Sequence, residues 1–114
     1  MKIVVTAQGK NLNAPVSPTF TRCPVFICVD TVTNSALPIV NAVMREPKDA
    51  GMKAAQIVLE QGAEVVITNK IEPQAFHDLQ AAGVAVFSVT PRSVGDALKE
   101  FLQGRLLKIT VPTI

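Results

Sequence analysis

The amino-acid sequence predicts an α/β protein in which helices cover a mixed β-sheet. Three observations support this class. Short β-branched runs separated by turn residues fill the first third of the chain. Helical apolar spacing alternates with short apolar runs after residue 50, and a glycine follows each helical stretch. Because parallel strands need helical crossovers, the second half favours parallel pairing and the first half favours antiparallel pairing.

Three strands are expected in the first half of the chain. Residues 2–7 form a β-branched run, residues 25–30 form a second, and residues 36–42 form a weaker third. Residues 33–35 are the expected hairpin turn between the second and third strands. Pro38 favours an edge position for the third strand, since proline cannot donate to a central ladder.

The second half is expected to alternate helices with strands. The apolar spacing predicts helices that begin near residues 50, 73 and 94. Pro73 suits the first position of the second helix, and Ser93 followed by Asp96 resembles a capping box with a shorter acid. Buried strands are expected over 64–68 and 84–89.

Composition limits the class of protein. The 114 residues suit one domain, which we assign to 1–107, followed by a C-terminal tail at 108–114. Hydrophobic residues make up 48% and charged residues 18%, which excludes disorder. No apolar run approaches the ~20 residues of a membrane helix, and the short apolar run after Lys2 does not suit a secretory signal. We therefore expect a cytoplasmic protein without a membrane partner.

The chain lacks the residues that several function classes require. The net charge of +2 is too small for a dedicated nucleic-acid binder. A two-metal nuclease needs clustered carboxylates, and residues 2–7 carry none. Gly9-Lys10 is followed by Asn11, which excludes a Walker phosphate loop there, and the single histidine makes a serine triad improbable. The prediction is a protein that is not an enzyme.

Three stretches together resemble one family. Residues 20–26 (FTRCPVF) with Asp30 are similar to the F-G-R-[AC]-P-Y-F…D signature of the dinitrogenase iron–molybdenum cofactor-binding family. Residues 50–67 are similar to its G-G-A-G-x-x-A-A…G-A-x-x-V-I segment, and 75–106 to its closing pattern. The resemblance implies a ribonuclease-H-like three-layer fold with a five-stranded mixed sheet and about three helices. It also implies binding of a molybdenum-containing metal–sulfur cluster, of the Mo/Fe/S or Mo/Cu/S type.

The chain departs from the family pattern where that pattern is rich in glycine. Lys48-Asp49 replaces a Gly-Gly pair, Thr21 replaces the glycine after the first phenylalanine, and residues 69–73 (NKIEP) replace G-x-x-G-P. Glycine at such positions lets backbone N–H groups approach a ligand closely.

The loops that follow the strands are the expected binding site, because ligands of such sheets lie beyond the strand carboxyl ends. Helix N-termini and basic side chains in these loops favour an anion, although each charge by itself is an ordinary surface residue. With the resemblance, the predicted cofactor-binding residues are Arg22, Cys23, Lys48, Ala50, Gly51, Asn69, Lys70, His77, Arg92 and Ser93.

Two of these residues are candidate metal ligands. Soft metals prefer thiolate, and we expect Arg22 to lower the pKa of Cys23. The alternative for Cys23 is a small, half-buried residue at the start of a strand. His77 lies close enough to residues 69–73 to act as an imidazole ligand, and its alternative is a solvated surface histidine.

The sequence therefore predicts a non-catalytic carrier for an anionic molybdenum-containing cluster or a thiomolybdate, held non-covalently. Cluster-donating and cluster-accepting proteins are the partners this implies. The alternative is a small regulatory or interaction domain that kept the fold and lost the cofactor.

Overall fold

The computed structural model describes residues 1–113 and contains six strands and three helices. In chain order they are β1 (Lys2–Ala7), β2 (Val25–Asp30), β3 (Ser35–Val40), α1 (Ala50–Glu60), β4 (Val65–Thr68), α2 (Pro73–Ala81), β5 (Ala85–Ser88), α3 (Val94–Leu102) and β6 (Leu107–Lys108). The strands form one sheet in the order β3-β2-β1-β4-β5-β6. The predicted α/β class and mixed sheet are confirmed.

Pairing in the sheet changes direction at its centre. β1 pairs antiparallel with β2, which pairs antiparallel with the edge strand β3. On its other side β1 is parallel to β4, and β4 is parallel to β5. The antiparallel half follows from the short connections early in the chain, and the parallel half follows from the helical crossovers later on.

The sheet separates two apolar cores, so the molecule has three layers. Alternate residues of β1 face opposite sides: Val4 packs with α1 and α2, and Ile3 and Val5 pack with α3. Both sets are almost fully buried. The predicted ribonuclease-H-like arrangement is present, with α1 and α2 on one face and α3 on the other.

Two details of the sheet differ from the sequence prediction. The sheet has six strands rather than five, because Leu107 and Lys108 pair antiparallel with β5. A two-residue strand is too short to have a hydrophobic period. The third strand begins at Ser35 and ends at Val40 rather than spanning 36–42. It ends there because Asn41 turns inward, and its side-chain amide donates to the carbonyls of Thr21 and Cys23 at 2.9 and 2.8 Å.

The end of the described chain packs against the domain. β6 crosses the boundary we assigned at residue 107. Ile109 is buried and donates from its backbone N–H to Val86 at 2.7 Å. The hydroxyl of Thr113 accepts from the N–H of Ile71 at 2.8 Å. Within residues 1–113, none of the helices is long and apolar enough to cross a membrane.

Candidate functional site

The carboxyl ends of the parallel strands lie at one edge of the sheet, together with the N-termini of all three helices. β1, β4 and β5 end there at Ala7, Thr68 and Ser88. We call this end of the molecule the carboxyl edge, and its loops are residues 8–24, 41–49, 69–72 and 89–93. The three helix dipoles direct partial positive charge toward it.

The N-terminus of α3 is closed by the loop that follows β1. The N–H of Val94 donates to the carbonyl of Ala14 at 2.9 Å, and that of Gly95 donates to Leu12 at 2.8 Å. The Ser93 hydroxyl accepts from the N–H of Asp96 at 3.1 Å, which is the serine half of the predicted capping box. With these donors already paired, the first turn of α3 offers little to a ligand.

The N-termini of α1 and α2 are open by comparison. Their N-cap residues, Asp49 and Glu72, make no side-chain capping bond. Pro73 begins α2, where its missing N–H costs nothing. Within residues 1–113, the first-turn N–H groups without a hydrogen-bond acceptor belong to Ala50, Gly51, Met52, Gln74 and Ala75. These are donors that an anion at the carboxyl edge can use.

These two helix ends meet at Gly51. A Cβ atom built on Gly51 would lie 3.4 Å from the backbone N of Ala75 and 3.6 Å from Oγ1 of Thr21. Thr21 is 1% exposed, and its Oγ1 has no hydrogen-bond partner within the described chain. The segment that carries it is held in place by the backbone pairing of Phe20 with Lys70 and by the bonds from Asn41. Sequence reasoning missed Thr21, because nothing in the sequence reveals a hydroxyl buried without a partner.

Two predicted lysines stand beside the open helix ends. Lys48 lies two residues before α1 and Lys70 three residues before α2, and both are exposed. Neither forms an ion pair with another residue of 1–113. Their ammonium groups are therefore available to a bound anion.

Two predicted arginines are used within the fold. The Arg22 guanidinium donates to the carbonyls of Met44 and Glu46 at 3.0 and 2.8 Å, so it fastens the loop that leads into α1. Arg92 forms an ion pair with Glu100 at 3.3 Å and also bonds to Thr90. In both residues, part of the guanidinium's donor capacity is already taken up by partners within the fold.

Cys23 differs from the sequence prediction. Its side chain is fully buried, and burial raises the pKa of the thiol to about 12, outweighing the opposing effect of a hydrogen bond from Asn41. The prediction that Arg22 lowers this pKa is wrong, because the guanidinium turns away to the 41–49 loop. A buried neutral thiol is a poor ligand until it is exposed and deprotonated.

The remaining predicted residues occupy different positions. His77 is exposed on α2, where its ring lies edge-on to Phe76 with centroids 6.2 Å apart. Asn69 donates to the carbonyl of Val89 at 2.7 Å, which ties the β4–α2 loop to the end of β5. Ala50 is buried at the start of α1. Across residues 1–113, no three His, Cys, Asp or Glu side chains are grouped to hold a metal ion.

The arrangement matches that of known proteins over nearly its whole length. The sequence profile of the family "dinitrogenase iron-molybdenum cofactor" matches residues 1–104. The chain belongs to this family. The resemblance inferred from the sequence motifs is thereby confirmed.

Solved structures of relatives agree with the fold. The apo form of the orange protein from Desulfovibrio gigas is 36% identical, with a TM-score of 0.95 and coverage of 99% of this chain and 96% of that one. An NMR structure of a Thermotoga protein, provisionally identified as NifB and placed in the DUF35 family, is 30% identical with a TM-score of 0.89. That match covers 99% of this chain and 97% of the other.

A curated sequence relative is also similar. An uncharacterised protein of Methanocaldococcus jannaschii is 27% identical over 112 residues, which is 95% of this chain and 91% of the relative.

Proposed function

We propose that this protein is a non-catalytic carrier of an anionic molybdenum-containing metal–sulfur cluster, bound at the carboxyl edge between α1 and α2. The observation that carries the proposal is the pair of open helix N-termini flanked by Lys48 and Lys70. Membership of the iron–molybdenum cofactor family and the likeness to the apo orange protein support the same class of cargo.

The chemistry of the donor set favours an anion held without protein ligands. Unpaired N–H groups and the positive ends of two helices stabilise negative charge, and each hydrogen bond to a charged group contributes roughly 1.5–3 kcal/mol. A cluster whose metals are fully coordinated by its own sulfides can be bound as a whole anion, without a cysteine thiolate from the protein. This fits a chain whose Cys23 thiol is buried and protonated.

The role of the protein in this proposal is to position and shield the cluster. Iron and copper both remain candidates for the second metal. A carrier must receive its cargo and release it, so a cluster-donating and a cluster-accepting protein are the proposed partners. Lys48 and Lys70 would attract the cargo, and the N–H donors of the first turns would orient it.

Reconstitution tests the proposal directly. Amino-acid side chains do not absorb visible light, so visible absorption must come from bound material. The chain also has neither Trp nor Tyr, which keeps its own near-ultraviolet absorption weak. Purified protein is mixed with tetrathiomolybdate and copper, or with an isolated iron–molybdenum cluster, and then desalted. We expect visible bands and stoichiometric molybdenum to remain with the protein.

A matched pair of double variants locates the site. Replacing Lys48 and Lys70 with alanine should weaken retention. Replacing Lys2 and Lys99, which lie at the opposite end of β1 and near the end of α3, should leave retention unchanged. If the unaltered protein retains no metal in any mixture, the carrier proposal is wrong. That result would favour the alternative, a regulatory or interaction domain that has lost the cofactor.

A further inference from the structure

The side chain of Thr21 carries a buried hydroxyl that stabilises no other part of the fold by hydrogen bonding. Its Oγ1 lies beneath the first turn of α1 and has no hydrogen-bond partner within residues 1–113. An unpaired buried hydroxyl destabilises a fold, since it loses its bonds to water and gains none. The other buried threonine hydroxyls show the usual solution, because those of Thr6 and Thr68 bond to each other at 2.9 Å.

A second unpaired donor lies near this hydroxyl. The position that a Gly51 Cβ would occupy is 3.6 Å from Thr21 Oγ1 and 3.4 Å from the backbone N of Ala75, whose N–H is also unpaired. Gly51 itself is partly exposed and has no side chain, so residue 51 places no Cβ atom beside these two groups. The Glu72 carboxylate accepts from the backbone N–H of Thr21, 3.5 Å away, and not from its hydroxyl.

We infer that the Thr21 hydroxyl and the Ala75 N–H form a subsite beside Gly51 for one terminal oxo or sulfido atom of a molybdenum anion. This inference rests on the proposed function and assigns one contact within it. The hydroxyl can rotate its hydrogen toward an acceptor, and the Ala75 N–H has a fixed direction at the N-terminus of α2. A negatively charged terminal atom is the acceptor that both donors lack.

The absence of a side chain at residue 51 is part of the subsite. A methyl group there would be in ordinary contact with all its neighbours, so alanine fits the fold without strain. The same methyl would occupy the approach to the Thr21 hydroxyl. Gly51→Ala therefore separates binding from folding, and it does so without changing any charge.

The experiment measures the affinity of four variants for two probes, molybdate and the tetrathiomolybdate–copper mixture, by calorimetric titration. Thr21→Val, which keeps the shape and removes the hydroxyl, should weaken binding of one or both probes by about tenfold. Thr21→Ser should stay within about threefold of the unaltered protein, because it keeps the donor. Gly51→Ala should also bind more weakly. Thr33→Val, at the opposite edge in the β2–β3 turn, is the control and should bind normally.

Thermal unfolding without the probes accompanies each titration. Thr21→Val should unfold at the same temperature or a higher one, since it removes an unpaired buried hydroxyl. A loss confined to molybdate would assign an oxo atom to the subsite, and a loss confined to the thiomolybdate mixture would assign a sulfido atom.

The outcomes separate this inference from the proposed function. If the unaltered protein binds and Thr21→Val binds equally well, the subsite is wrong and the carrier proposal stands. Equal losses in Thr21→Ser and Thr21→Val would also overturn the subsite, because they would trace the effect to packing. If the unaltered protein binds neither probe and also retains no isolated iron–molybdenum cluster, the proposed function fails and the subsite fails with it.

Discussion

Cys23 shows how far the position of one side chain can change its chemistry. The same thiol would be a reactive ligand on the surface, but in the apolar layer under α1 its pKa is raised to about 12 from its usual 9.0. Arg22, the preceding residue in the sequence, does not lower this pKa. Its side chain points toward the 41–49 loop, while the side chain of Cys23 points into the core.

The buried thiol predicts a loss of stability at high pH. The unfolded thiol ionises near pH 9 and the folded one near pH 12, so the unfolded state binds fewer protons between these values. The contribution of Cys23 is therefore complete below pH 9 and lost as the pH rises, by at most about 1.4 kcal/mol per pH unit. Urea unfolding from pH 8 to 10.5 should show this slope, and Cys23→Ala should flatten it.

Cys28 supplies the comparison for this measurement. It is only partly buried, and burial raises the pKa of its thiol less, to about 11. Below about pH 11 both folded thiols stay protonated, so Cys28→Ala should reduce the alkaline slope almost as much as Cys23→Ala does. The two variants should differ only between about pH 11 and 12, where Cys28 ionises in the folded state and Cys23 does not. Identical slopes for Cys23→Ala and the unaltered protein would mean that the Cys23 thiol reaches solvent in the folded state.

At the scale of the elements, the three helices begin in three different ways. α3 has a serine cap and is covered by the β1 loop, α2 begins with proline, and α1 follows a residue in the left-handed region. Asp49 has φ 56° and ψ 26° and makes no capping bond, which is unusual for an N-cap. The backbone at this point has the conformation that glycine adopts most easily.

The left-handed Asp49 predicts a stability difference between two small substitutions. Asp49→Gly removes the conformational strain, and Asp49→Ala keeps a Cβ atom that crowds the following carbonyl. We expect the glycine variant to be more stable than the alanine variant by about 1 kcal/mol, measured by urea unfolding. Both variants lose the same charge, so the helix dipole affects them equally.

A second left-handed residue checks the same argument. Asn34, with φ 59° in the β2–β3 turn, should give the same order for Asn34→Gly and Asn34→Ala. Equal stability of the two Asp49 variants, with the normal difference at Asn34, would show that the 41–49 loop relaxes to another conformation when Asp49 is replaced.

At the scale of the whole molecule, charge is balanced and the proposed site depends on local charge. The net charge is only +2, so long-range attraction of an anion is weak. The attraction must come from Lys48, Lys70 and the open helix ends at the carboxyl edge. Local charges of this kind are partly exposed and are screened over about 8–10 Å at physiological ionic strength.

Salt therefore distinguishes electrostatic binding from metal ligation. We expect the affinity for tetrathiomolybdate with copper to fall by about tenfold between low salt and about 0.5 M sodium chloride. Sodium sulfate at equal ionic strength serves as a control for competition by a divalent anion and should weaken binding further. An affinity that does not change with salt would mean that a protein side chain ligates the metal.

The order of elements, the mixed sheet, the edge position of the strand with Pro38 and the family could all be predicted from the sequence. They depend on local periodicity, turn residues and motifs, which are formed by residues close together in the sequence. The proposed position of the site at the strand carboxyl ends also comes from the sequence, because it follows from the predicted topology.

Only the tertiary structure decided which groups at that edge are free. The loop after β1 closes the N-terminus of α3, Arg22 bonds to the 41–49 loop, and Cys23 lies beneath the surface. Each of these depends on a partner that is distant in the sequence. Burial and hydrogen-bond pairing arise when such segments meet. The local sequence could therefore predict the Ser93 cap of α3, but not its closure by the β1 loop or the unpaired hydroxyl of Thr21.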